Sequence, residues 1–169
     1  MIVYVLNSKD NLFNYMVKYS SGDYITSKHG IIIKNDEKIL YSAILFGSGG
    51  GTTVHKNSYI IEDNFIIICC GDALFSLTLF ELKLNWKTKI DDSSVFAIYK
   101  MHNDFIIHGE LEISRIDKNG NIIWQNSGSD IFVTLDGNND LKIIEDNIYV
   151  ESWDGRKYKF DYNGNDEQG

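Results

Sequence analysis

One short motif returns along the chain at a nearly fixed interval. Asp63-Asn64-Phe65 is followed by Asn103-Asp104-Phe105 and then by Asp146-Asn147-Ile148. Each copy lies between β-branched apolar runs, so each predicts a tight turn inside a hairpin. A second series keeps step with the first: Tyr41, Trp86 and Trp124 stand one period apart in turn. A period of about 40–45 residues holding several short strands is the signature of propeller blades. Closed propellers carry about four to eight blades, and 169 residues hold only three such periods and part of a fourth. The expected fold is therefore all-β: an incomplete (half) β-propeller of about three four-stranded antiparallel blades, with a degenerate N-terminal portion.

The period divides one expected domain, 1–169, into degenerate hairpins over 1–50, blades over 54–92 and 93–128, and an incomplete blade over 140–165. The clearest stretch runs from Phe96 to Gln125. His102-Asn103-Asp104 turns the first strand into the second, and Gly109-Glu110 bends the chain again. Asp117-Lys118-Asn119-Gly120-Asn121 closes the last hairpin with an Asn-Gly pair that favours positive φ. Asp161-Tyr162-Asn163-Gly164-Asn165 repeats that turn, and little chain follows it. Leu12, Tyr15, Met16 and Tyr19 have helical spacing behind a capping Asp10 or Asn11, yet the same stretch also suits a strand. One short helix near residues 10–20 is thus allowed. Gly47-Ser48-Gly49-Gly50-Gly51 is expected to be a flexible joint.

Apolar residues make up 43% of the chain and aromatics 13%, which suits a globular β protein rather than a disordered segment. A chain of this length buries roughly two-thirds of its unfolded surface and needs no metal or disulfide to fold. Cys69 and Cys70 are adjacent, so in a strand they point to opposite faces and form no mutual bridge. Small core residues of a reducing compartment are expected. Met1 to Leu6 lacks the basic start of a secretory signal, and no apolar run approaches the ~20 residues of a membrane span. A cytoplasmic location, with no membrane partner, is expected.

The motifs that carry chemistry elsewhere are incomplete here. The Asp117 loop has its glycine in the fourth place, not the sixth, and lacks flanking helices, so a hairpin turn is expected rather than a calcium site. The glycine run at 47–51 lacks the Lys-Ser/Thr ending of a phosphate loop. His29, His55, His102 and His108 have no metal-ligand spacing. No Gly-x-Ser-x-Gly elbow is present, and Cys69 and Cys70 lie within an apolar run, where a thiol stays unreactive. No catalytic residue, metal or cofactor is expected, and the expected class is a non-catalytic binding protein.

Charge supplies the remaining signal. There are 24 acidic and 16 basic residues, a net charge of -8. That balance argues against nucleic acid and for a cationic partner. Alternating strand directions put Asp36, Glu37, Glu62, Asp63, Asp104, Asp117, Glu145, Asp146 and Asp161 on one rim. The other rim holds Asp72, Asp91, Asp92, Glu110, Glu151, Trp153 and Asp154. This second rim has the longer connections and is the expected partner-binding surface.

Ile116-Asp-Lys-Asn-Gly-Asn-Ile-Ile-Trp124 and Asp146-Asn-Ile-Tyr-Val-Glu-Ser-Trp-Asp-Gly155 resemble the blades of quinoprotein-type propellers, in which a strand and a glycine turn lead to a closing strand with tryptophan. The resemblance covers about residues 54–165 and carries over no cofactor site. Size, acidity and half-propeller form together resemble an immunity protein of a contact-dependent growth inhibition system. That resemblance implies a cognate basic nuclease toxin, of the ribonuclease kind, whose active site the protein occludes, and a monomer within the toxin complex. Open sheet edges allow self-association of the chain alone. The alternative is a propeller-fragment scaffold or a small-ligand-binding module.

Overall fold

The computed structural model of the chain describes residues 1–8, 13–134 and 141–167. Among these residues all regular structure is β, gathered into four stacked sheets. Strands β5 (Tyr59–Glu62), β6 (Phe65–Cys70), β7 (Ala73–Thr78) and β8 (Leu84–Lys89) form an antiparallel meander, the second sheet. Strands β9 (Val95–Met101), β10 (Asp104–Gly109), β11 (Glu112–Ile116) and β12 (Ile122–Ser127) repeat it as the third. The fourth sheet has β13 (Lys142–Ile144), β14 (Asn147–Glu151) and β15 (Lys157–Phe160). Beyond its last turn, Asp166 bridges Phe160 and the Glu167 amide donates to the Lys159 carbonyl at 2.9 Å, starting a fourth row. The turns between first and second strands, and between third and fourth, share one rim, the turn rim. The inter-sheet connections share the other, the link rim.

The stacking follows from how side chains alternate. In β6, Ile66, Ile68 and Cys70 enter the core against the first sheet, while Ile67 and Cys69 enter the core against the third. In β10, Phe105 and Ile107 face the second sheet and Ile106 faces the fourth. A strand buried on both faces has no polar positions to spare, which is why both read as unbroken apolar runs. Each such buried isoleucine contributes about 1.5–3 kcal/mol. Strand β14 differs: Ile148 and Val150 point into the last core, while Tyr149 and Glu151 alternate outward beside Lys142, Lys157 and Lys159. The outer face of the fourth sheet is thus polar.

The first sheet departs from the meander. It contains β1 (Ile2–Asn7), β2 (Val17–Ser20), β3 (Ser27–Asn35) and β4 (Lys38–Gly47) in the order β1-β3-β4-β2. Its outermost strand, β2, runs parallel to β4. The N-terminal portion, expected as degenerate hairpins, is a four-stranded sheet whose strand order departs from that of the other sheets. No helix forms near residues 10–20 among the described residues: 13–16 lack regular structure, 17–20 are β2, and 10–12 lie outside the described residues. The edge of β4 offers backbone partners to Val17–Ser20, and Val17 and Tyr19 alternate into the first core. Ahead of β2, Tyr15 is buried on the sheet's outer face. Its ring fills the space that any side chain at Gly30 would need. Phe13 packs edge-on against Tyr15 at 4.6 Å, and the Met16 amide donates to Ser42 Oγ at 3.1 Å. This strap caps the first sheet, as terminal repeats of stacked arrays require.

Candidate functional site

The link rim, expected to meet a partner, is built chiefly as a joint. The amides of Asp72, Glu110 and Trp153 donate to the carbonyls of Ser48, Ser94 and Ile131, all at 2.8 Å, so each connection is fastened to the bend of the sheet it leads into. Asp72 is 7% exposed and Asp91 only 2%. The Asp72 carboxylate accepts the Ser21 hydroxyl at 2.7 Å. Asp91 accepts the amides of Ser93 (2.7 Å), Leu111 (2.8 Å) and Glu112 (3.1 Å), tying the second sheet to the third. Burial pushes the Asp91 carboxyl up from its ordinary pKa, and the three amides oppose that shift. A carboxylate so placed offers little surface. Of the expected contact residues, Asp92, Glu110, Glu151, Trp153 and Asp154 reach the surface. Asp92 pairs with Lys89 at 2.8 Å. Glu110 accepts the Ser93 hydroxyl at 2.6 Å. Asp154 accepts the hydroxyls of Ser152 and Ser129, which hold its pKa low. Trp153 is 45% exposed.

The glycine run at 47–51 belongs to the same joint. A side chain at Gly47 would fall on the backbone of Cys70 and Gly71, and Gly49 takes φ +75 against the Ser93 carbonyl. These glycines permit close approach of backbones and do not form a loose hinge. The neighbouring His29 is fully buried, with Nδ1 2.9 Å from the Cys69 carbonyl and Nε2 3.3 Å from that of Thr52.

On the turn rim, the third-to-fourth turns of the last two sheets are copies of one another. Asp117 Oδ1 accepts the amides of Asn119 and Asn121, and Asp161 Oδ1 those of Asn163 and Asn165, at 2.8–2.9 Å. Gly120 and Gly164 take φ +82 and +85. Each turn receives the tryptophan of the preceding sheet. Trp86 Nε1 donates to the Lys118 carbonyl and Trp124 Nε1 to that of Tyr162, both at 3.0 Å. The indoles lie against Gly120 and Gly164, where a Cβ would come within 2.6 and 2.7 Å of a ring carbon. Between the third and fourth sheets Arg115 donates to Asp104 and sits 3.4 Å from the Tyr162 ring centroid. Lys100–Glu62 (3.0 Å) and His102–Asp146 (2.9 Å) also join successive sheets.

The equivalent turn of the second sheet breaks the pattern. It holds no glycine, yet Glu81 and Leu82 take φ +66 and +51 in succession, a conformation that costs about 1–2 kcal/mol per residue. The Thr78 hydroxyl engages the Phe80 carbonyl, and the Lys83 amide donates to Thr78 Oγ1 at 3.0 Å. Leu82 is buried, and its carbonyl accepts the Tyr19 hydroxyl at 3.0 Å. Tyr41 packs at 5.5 Å on Phe80, which is nevertheless 70% exposed. A cleft of about 470 Å³ opens beside it, lined by Met1, Asp63, Asn64, Leu79, Phe80 and Glu81. Sequence reasoning missed this feature; a third-to-fourth turn without the Asn-Gly pair of the other two was the available signal.

Cys69 and Cys70 are buried free thiols. Burial, with the neighbouring thiol, pushes the Cys69 pKa far up, and burial pushes that of Cys70 up to about 12. Neither is a nucleophile in this setting. Among the described residues no group of three or more His, Cys, Asp or Glu is placed to hold a metal ion. No helix there is long and apolar enough to cross a membrane.

No family model and no curated protein sequence matches the chain. Solved structures do. The chain is similar to BamB from Moraxella catarrhalis, a β-propeller, with a TM-score of 0.51 and 15% identity over 82% of this chain and 42% of that one. The computationally designed Ika8 protein aligns with a TM-score of 0.46 and 15% identity, over 86% of this chain and 46% of that one. This chain thus spans less than half the length of BamB. The likeness to BamB establishes the propeller fold, here incomplete and without a closed barrel.

Proposed function

We propose that this protein is a non-catalytic neutraliser of a basic partner: an immunity-type protein that covers the active site of a cognate nuclease toxin domain, of the ribonuclease kind, in the cytoplasm. What supports the reading is the surplus of 24 acidic over 16 basic residues, much of it carried in turns on the rims of a stack held rigid by its joints. A nuclease presents a basic cleft to the phosphate backbone. An acidic surface steers toward such a cleft at enhanced rate, and a packed centre then slows release. Occlusion needs no reacting group on this chain. Stable inhibitory interfaces bury about 1,200–2,000 Å².

The test is co-expression with a basic ribonuclease-type toxin domain, should one be found encoded beside this gene. Rescue of growth, with loss of RNA cleavage when the two purified proteins are mixed, is the expected result. Undiminished cleavage in the presence of excess chain would overturn the proposal.

A further inference from the structure

We propose that the groove between the second and third sheets holds a binding pocket beside Trp86 for a small organic anion, a flat ring that carries a carboxylate or a phosphate. The pocket is separate from the partner surface proposed above and stands or falls without it. Two successive grooves differ at three equivalent positions. Trp86 pairs with Ser76 just before the bulge of β7, and Trp124 pairs with Arg115 just before the bulge of β11, so Ser76 and Arg115 correspond. By the same register Phe65 corresponds to Asp104. Lys118 corresponds to Tyr162, since their carbonyls receive the two indoles. Between the third and fourth sheets these positions form a plug. Arg115 donates to Asp104 at 2.8 and 2.6 Å and to the Tyr162 carbonyl at 2.9 Å. The Tyr162 hydroxyl donates to Asp104 at 2.8 Å, and the guanidinium lies 3.4 Å from the Tyr162 ring centroid.

Between the second and third sheets the plug is missing. Ser76 stands in place of the arginine and Phe65 in place of the aspartate. A pocket of about 480 Å³ opens there, lined by Phe65, Ser76, Asn85, Trp86, Lys118 and Asn119. That volume lies within the range of small-ligand sites, about 300–1,000 Å³. The charge of the lining has reversed. The carboxylate of the plugged groove is gone, and among the described lining residues Lys118 alone is charged. Of the acids on this stretch of the rim, Asp117 is bound within its own turn and Glu62 pairs with Lys100 at 3.0 Å. An anion therefore meets an ammonium group with no carboxylate in the lining to compete for it. Ser76 is 1% exposed. The Asn85 amide donates to its hydroxyl at 3.2 Å, which leaves the hydroxyl proton for a further acceptor. Trp86 directs its own N–H to the Lys118 carbonyl and so offers a ligand only its ring. With Phe65 it supplies the apolar walls that a flat ring needs, and Asn85 and Asn119 supply amide donors at the mouth.

The test is a titration of the isotope-labelled chain with benzoate and with adenosine monophosphate, read at the Trp86 indole N–H signal. Benzamidine and adenosine serve as the matched cationic and neutral counterparts. Saturable shifts with benzoate or the nucleotide are expected, with the counterparts bound about tenfold more weakly, as loss of a hydrogen bond to a charged group implies. K118E reverses the charge of the lining and leaves the carbonyl that receives Trp86 in place. It should reverse the preference, so that benzamidine binds about tenfold more tightly than benzoate. Lys118 is exposed, so K118E should melt as wild type does. F65D/S76R/K118Y rebuilds the plug and should abolish the shifts; if that variant does not fold, K118E decides. Three results overturn the pocket: benzamidine bound by the wild type as tightly as benzoate, an unchanged preference in K118E, or an indole signal that no probe moves at about 10 mM. Shifts that persist in folded F65D/S76R/K118Y also overturn it, as adventitious binding elsewhere on the surface.

Discussion

At the scale of single residues, the acidic side chains divide by what they touch. Asp117 and Asp161 bind their own turns, Asp91 binds amides of the next sheet, and Asp92 faces water beside Lys89. Residue type was identical in all four, so the sequence pattern could not sort them. His29 shows the same dependence on surroundings. Burial lowers its pKa below 6.5, the carbonyls of Thr52 and Cys69 oppose that shift, and His55 adds to it. The unfolded chain then binds more protons than the folded one as the pH falls below about 6.5. Stability is intact above that value and lost as pH drops through the folded pKa. Melting temperature is expected to fall between pH 7 and pH 5, and to fall less in H29Q, as followed by circular dichroism.

At the scale of elements, the junction is the unit that was readable in advance. The Asp-x-Asn-Gly-Asn turns and the tryptophans one period apart, Trp86 and Trp124, predicted hairpins and packing residues. Their pairing across sheets adds the reason for the spacing, since Trp124 can dock only on the turn of the sheet that follows. Gly164→Ala places a methyl group on the indole and an alanine at φ +85. The expected cost is about 2–4 kcal/mol, combining a left-handed backbone with overpacking. It should show as a lowered urea midpoint at unchanged slope; a midpoint equal to that of the wild type would mean that the junction is loose. The parallel strand β2 was not legible, because Val17–Ser20 is short and its partner β4 lies far downstream, beyond the whole of β3.

At the scale of the whole molecule, the two ends of the stack are finished differently. Phe13 and Tyr15 cover the first sheet, and Lys142, Lys157 and Lys159 keep the outer face of the fourth one wet. The fourth sheet's outer face is polar, and the strap covers part of the first sheet's outer face, where Ile2 and Tyr4 remain exposed. The isolated chain is therefore expected to be monomeric at micromolar concentration, with light scattering giving a mass near 19.3 kDa. A dimer under those conditions would show that an exposed sheet edge outweighs the polar faces.

The order of residues already specified an all-β stack, its period, its turns and its negative charge, because those depend on neighbours a few positions apart and on composition. Continuous apolar runs in β6 and β10, against the alternation in β14, even encoded which sheets lie inside. Three outcomes emerged only once the chain had folded: the reversed outer strand of the first sheet, the inward turn of Asp72 and Asp91, and the exposure of Phe80. Each arises from groups far apart in the chain that meet at one place, where burial and hydrogen bonding, rather than residue type, decide whether a side chain is core, joint or surface.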